Sequence, residues 1–128
     1  GRMTEDELKA RTKTFGLRVI RLTRSLPKNT EGQAIGRQLI RSGTSVGANY
    51  RAACRARSRR DFAAKLAIVE EEADESAYWI EVIAESGMVA AERVQPLLQE
   101  ANELTAIMVA SRKAARRPAA EEKPDSGT

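Results

Sequence analysis

Histidine is missing from this 128-residue chain, and cysteine occurs once, at Cys54. The first absence removes the commonest general base and the commonest metal ligand together. The second excludes an internal disulfide and leaves no ligand set for a zinc or iron–sulfur centre. Aromatic residues are also few: Phe15, Tyr50, Phe62, Tyr78 and Trp79. No glycine-rich phosphate loop of the Walker or dinucleotide type occurs. No apolar run approaches the roughly 20 residues that cross a bilayer. The expectation is a non-enzymatic protein of the reducing cytoplasm, with no catalytic residue, metal, cofactor, small-molecule substrate or membrane span.

What the chain does have is a seven-residue rhythm. Apolar or small residues recur in alternating steps of four and three through four segments. The first carries Leu8, Thr12, Phe15, Val19, Leu22 and Leu26; the second Ile35, Leu39, Ser42, Val46, Asn49 and Ala53. The third carries Phe62, Leu66, Val69, Ala73, Ser76, Ile80 and Ile83; the fourth Val94, Leu97, Ala101, Leu104, Met108 and Ser111. Ile20, Ile40, Ile68, Leu98 and Ile107 widen these stripes beyond a two-stranded seam, so a four-helix core is expected. Punctuation agrees. Pro27 ends the first segment, and Thr30 with Gln33 reads as a capping box for the second. Ser58 caps the third, and Gly87 ends it in a left-handed conformation. Pro96 marks either a first turn or a kink in the fourth. Short connections give an all-α, antiparallel up-down-up-down four-helix bundle over residues 4–117. Residues 118–128 lack an apolar period and read as a disordered tail.

One stretch breaks the helical composition. Gln38 to Ala53 holds two glycines, three hydroxyl residues and an asparagine, each weaker than alanine in a helix by up to roughly 1 kcal/mol. Close helix–helix approach accounts for them, with Ser42, Ser45, Val46 and Asn49 as packing and register residues and Asn49 as a buried amide. Nothing nearby activates Ser42, Thr44 or Ser45 as a nucleophile. Glu70, Glu71, Glu72, Asp74 and Glu75 lack the inward Glu-x-x-His pairs of a di-iron bundle.

Charge divides along the chain. Residues 1–65 hold 16 Lys/Arg and 5 Asp/Glu, and residues 66–128 hold 6 and 13, leaving +11 and −7. The simplest reading is solvated faces and pairing of antiparallel neighbours, with Arg37 and Arg41 near Glu75 and Glu81. A second is subunit assembly, basic face to acidic face, with Glu71, Glu75, Tyr78 and Trp79 as interface candidates. A third is phosphate contact by Arg51, Arg55, Arg57, Arg59 and Arg60, which fold against the short side chains opening the third segment.

The order Gln38-Leu39-x-Arg41-Ser42-x-x-Ser45-Val46-x-x-Asn49, then Arg57-Ser58-x-x-Asp61-Phe62, then Leu66 and Glu75, resembles a known family. It is similar to the bacterial four-helix-bundle proteins related to the protein encoded in intervening sequences of the 23S ribosomal RNA gene. The resemblance spans about Phe15 to Arg117. Relatives usually follow the asparagine with Ile-Ala-Glu-Gly, where Tyr50-Arg51-Ala52-Ala53 stands here. The resemblance implies a homo-oligomer, a pentameric ring, without established enzymatic activity. Related bundles in diversity-generating retroelements bind a reverse transcriptase and RNA, so the leading expectation is a self-associating module for RNA or a ribonucleoprotein. The alternative is a pure assembly or adaptor protein.

Overall fold

The computed structural model describes residues 3–117; the expected tail at 118–128 lies outside the described residues. Four helices follow one another: α1 (Glu5–Thr23), α2 (Thr30–Ala53), α3 (Arg59–Ser86) and α4 (Ala91–Ala115). Each packs on its chain neighbours, α4 closes on α1, and among the described residues neither diagonal pair brings its backbones as close. Ion pairs fix the antiparallel register: Arg11 with Glu100 joins α1 to α4, Arg41 with Glu72 joins α2 to α3, and Arg112 with Glu70 joins α4 to α3.

Local chemistry sets the helix limits. Thr4 and Glu7 form a reciprocal capping box at the start of α1, with N–H···O distances of 3.0 and 2.8 Å. This helix stops at Thr23, three residues before Leu26, where Ser25 and Leu26 tighten into i→i+3 turns on Leu22 and Thr23. The cap of α2 is Asn29 rather than Thr30. Asn29 is extended and its Oδ1 accepts the Gly32 N–H at 2.8 Å, while Thr30 is already helical. Ser58 accepts the Asp61 N–H at 3.0 Å, and Gly87 closes α3 at φ 80°. Pro96 falls in the second turn of α4, which runs on through it to Ala115. Its missing N–H leaves the Glu92 carbonyl without the usual i+4 partner.

The core follows the seven-residue stripes. Phe15, Val19, Leu39, Val46, Leu66, Val69, Ile80, Ile83, Val94, Leu104 and Met108 are fully buried, each contributing about 1.5–3 kcal/mol relative to exposure. Leu22, Ile35, Asn49, Phe62 and Ser111 are only half-buried. Ile40 and Ile68 do not widen the core: they face solvent, 40% and 44% exposed.

The α1–α2 contact is the closest. A Cβ on Gly43 would stand 2.7 Å from Val19 Cγ2, and one on Gly47 would meet the Thr12 and Lys13 backbone at 3.3 Å. The two glycines of Gln38–Ala53 therefore serve one partner, α1. Gly43→Ala is expected to lower the unfolding free energy by about 1–2 kcal/mol, overpacking against immobile Val19 outweighing the gain in helix propensity. Gly36→Ala meets only the far end of the Leu26 side chain, Cδ1 at 3.3 Å, and should be neutral or stabilising by up to about 1 kcal/mol. Urea unfolding followed by circular dichroism checks both; equal effects would show that Val19 sets no limit.

Candidate functional site

The turn between α2 and α3, the first turn of α3 and the last turn of α4 meet at one end of the bundle. Arg51, Arg55, Arg57, Arg59 and Arg60 are all exposed there. Arg59 Nη2 donates to the Ala114 carbonyl at 3.0 Å, using the negative end of α4 to tie it to α3. That junction brings in two further arginines from the end of α4, Arg116 and Arg117. Together with Arg59, Arg60, Ala63, Ala64 and Ala115 they line an open cleft of about 530 Å³. Antiparallel topology alone could have placed them, since the end of α4 must lie beside the start of α3.

Both signs occur at this end, because Glu5, Asp6 and Glu7 open α1 there and Glu5 lines a cleft with Arg59. Asp61 is held by Lys65 Nζ at 2.9 Å one turn along α3. Arg51, Arg55, Arg57 and Arg60 form no ion pair among the described residues. The alanine walls let an extended backbone come close to the guanidinium groups, and arginine forks suit phosphate oxygens.

The acidic helix is in a different condition. Arg112 Nε donates to Glu70 Oε1 at 2.7 Å, and Arg41 Nη1 donates to Glu72 Oε1 at 3.2 Å. Arg41 Nη2 also donates to Glu75, whose Oε2 accepts the Trp79 indole N–H at 2.9 Å. Pairing of antiparallel neighbours thus engages Arg41, with Glu72 and Glu75, while Arg37 and Glu81 stay exposed without a partner among the described residues. Of the interface candidates, Glu75 is engaged inside its own bundle and Trp79 is half-buried beside it. Glu71 is exposed, and Tyr78 is 56% exposed, its ring edge-on to Trp79 at 4.9 Å.

The hydroxyl stretch is internally satisfied. The Ser76 hydroxyl donates to Ser42 Oγ at 2.9 Å, a fully buried bridge between α3 and α2. Ser45 Oγ donates to the Arg41 carbonyl and Thr44 Oγ1 to the Ile40 carbonyl, both at 2.6 Å. Val46 is fully buried. Asn49 is half-buried and turns its amide back to the Ser45 carbonyl at 2.9 Å; the buried position beside it belongs to Tyr50. Burial raises the pKa of Tyr50 and of Cys54, so the thiol stays protonated and acts as a packing group. Among the described residues no three His, Cys, Asp or Glu side chains gather as a metal site, and no helix is long and apolar enough to cross a membrane.

Residues 5–110 match the sequence model of the 23S rRNA-intervening sequence protein family. Among solved structures, the chain is similar to a protein of unknown function from the S23 ribosomal protein family of Bacteroides thetaiotaomicron. The two share 31% identity at a TM-score of 0.77, covering 83% of this chain and 98% of that one. No curated protein matches.

Hydrogen bonds from Arg41 and then Trp79 hold the Glu75 carboxyl below its ordinary pKa. A depressed carboxylate contributes stability that is complete above its unfolded value of about 4.3 and fades as pH falls through the folded one. Thermal unfolding from pH 7 down to about pH 3 should therefore fall less steeply for Glu75→Gln than for the parent. Parallel curves would mean that this triad carries no linked stability.

Proposed function

The chain belongs to the 23S rRNA-intervening sequence protein family, and on that premise we propose that it is a self-associating, non-enzymatic bundle that engages RNA phosphates through its arginine-rich end. One observation carries the reading. The carboxylates Glu70, Glu72 and Glu75 are neutralised inside the bundle, whereas Arg51, Arg55, Arg57 and Arg60 find no carboxylate in it. Uncompensated guanidinium groups beside an alanine-walled cleft favour an extended polyanion. Aromatic side chains are absent from the cleft lining, so stacking on bases contributes little and binding should be sequence-tolerant.

Self-association draws on a different set. Ile68, Glu71, Glu75 and Tyr78 follow one another at steps of three and four along α3, and Ile40 lies exposed on α2. Exposed large apolar residues flanked by carboxylates form the kind of patch that subunits cover. A ring, five-membered on the family resemblance, would repeat the arginine end around an axis and multiply weak phosphate contacts by avidity. A cytoplasmic location fits an RNA partner.

The unpaired Glu71, Asp74, Glu81 and Glu85 favour a second reading, in which the same arginines meet α3 of a neighbouring subunit and the protein is an assembly or adaptor element.

The double variant Arg55→Glu/Arg57→Glu separates the two. On the first reading it keeps the oligomer by light scattering and loses RNA binding. The slope of log affinity against log salt then falls by about 0.7 for each single-strand phosphate contact removed. On the second, the oligomer itself dissociates.

A further inference from the structure

The seam between α1 and α4 carries carboxylates along one half and is cationic over the rest. Toward the start of α1, Arg11 Nε and Nη2 donate to Glu100 at 2.7 Å, and Nη2 also reaches Glu103 at 2.8 Å. Two turns on, the α4 residues facing α1 are Arg93, Val94 and Leu97, and no carboxylate stands among them. Arg18 and Arg21 meet Arg93 across a crevice of about 230 Å³ floored by Leu22, Val94 and Leu97. Arg93 Nη2 is steadied by Ser25 Oγ at 3.3 Å. None of the three arginines forms an ion pair among the described residues.

Like charges gathered over an apolar floor repel one another and concentrate positive potential in the space between them. An oxyanion relieves both effects. Arg18 and Arg21 project from one face of α1 at an i, i+3 spacing, and Arg93 approaches from α4, so donors converge from two helices. Fork-shaped guanidinium groups match the tetrahedral oxygens of phosphate. The cavity is larger than a bare phosphate, and its floor is apolar, which suits a phosphate carried on a small organic group.

We propose that this crevice is a phosphate-binding site, distinct from the arginine-rich end and lying at the opposite end of the bundle. Arg18, Arg21 and Arg93 hold the phosphate oxygens, and Leu22, Val94 and Leu97 contact what the phosphate is attached to. The chemistry is that of a phosphate monoester, whether a free small molecule or the 5′ end of an RNA strand. The site does not depend on the RNA reading given above, because none of its residues belongs to that end.

Calorimetric titration of the full chain at low ionic strength with inorganic phosphate, adenosine monophosphate, and a short RNA with or without a 5′-phosphate tests this. Saturable binding of phosphate or the monophosphate below about 10 mM is expected, weakened at least about tenfold in Arg18→Gln and in Arg93→Gln. Arg93→Lys, which keeps charge but loses the fork, should fall between. Arg55→Glu/Arg57→Glu should bind the monophosphate as the parent does. Preference for 5′-phosphorylated over unphosphorylated RNA, lost in Arg18→Gln, would assign the source to strand ends; binding of the monophosphate alone would assign it to small molecules. Circular dichroism confirms that each variant is folded, and exposed Arg21→Gln stands in for any that is not. Absence of saturation for all ligands, or equal binding by parent and crevice variants, overturns the proposal.

Discussion

The bundle depends on how closely α1 and α2 approach. At Gly43 the helices leave no room for a methyl group and at Gly47 the fit is tight, so the surfaces of α1 and α2 are matched closely in this register. That fit costs helix propensity along α2, and the lost propensity must be offset by packing. Once α2 is set against α1, its other edge is set too. Ser42 falls opposite Ser76, and Arg41 falls between Glu72 and Glu75. A buried hydroxyl pair contributes little net stability, and each serine also donates to a carbonyl of its own helix, Ser42 to Leu39 at 3.3 Å and Ser76 to Glu72 at 2.8 Å, so the bridge marks the register without leaving a hydroxyl unpaired elsewhere.

Electrostatics then sort themselves by where cations and carboxylates coincide along these seams. Helix α3 runs between α2 and α4 and receives arginines from both, Arg41 from one side and Arg112 from the other. Its carboxylates nearest those neighbours are neutralised, and the outward ones remain. Helix α1 meets α4 along the sparsest of the four seams, where carboxylates occupy only one end. Unpaired arginines accordingly survive at both ends of the molecule, at one of them beside the acidic first turn of α1, and negative charge along one flank. The near-neutral total of +4 conceals this separation.

Much of this was readable beforehand. The stripes named the fully buried residues because helices packed at shallow angles repeat their contacts every seven residues. The glycines of Gln38–Ala53 announced a close approach, though not that α1 was its partner, while the buried hydroxyl of Ser42 turns to α3. Seven residues of a straight helix fall about 20° short of two whole turns. Asn49 thus stands to one side of the stripe through Leu39 and Val46, with Tyr50 on the other, and the larger apolar ring takes the interior. Ile40 and Ile68 were illegible for another reason, since composition does not tell an inward isoleucine from an outward one. Arg116, Arg117 and the Arg18–Arg21–Arg93 crevice escaped notice because charge was compared by halves of the chain, whereas helix ends bring distant segments together.

Nearly every contact joins helices adjacent in the chain, and the closing pair α1–α4 is the exception. Such a topology has low contact order, and bundles of this kind fold in microseconds to milliseconds. Three helical hairpins can form with only short loops to close, while the α1–α4 seam must wait for the whole chain. The crevice lined by Arg18, Arg21 and Arg93 is built on that last seam. A ligand held there would bind only the completed bundle, and would slow its opening along the one line where the chain's order does not hold it shut.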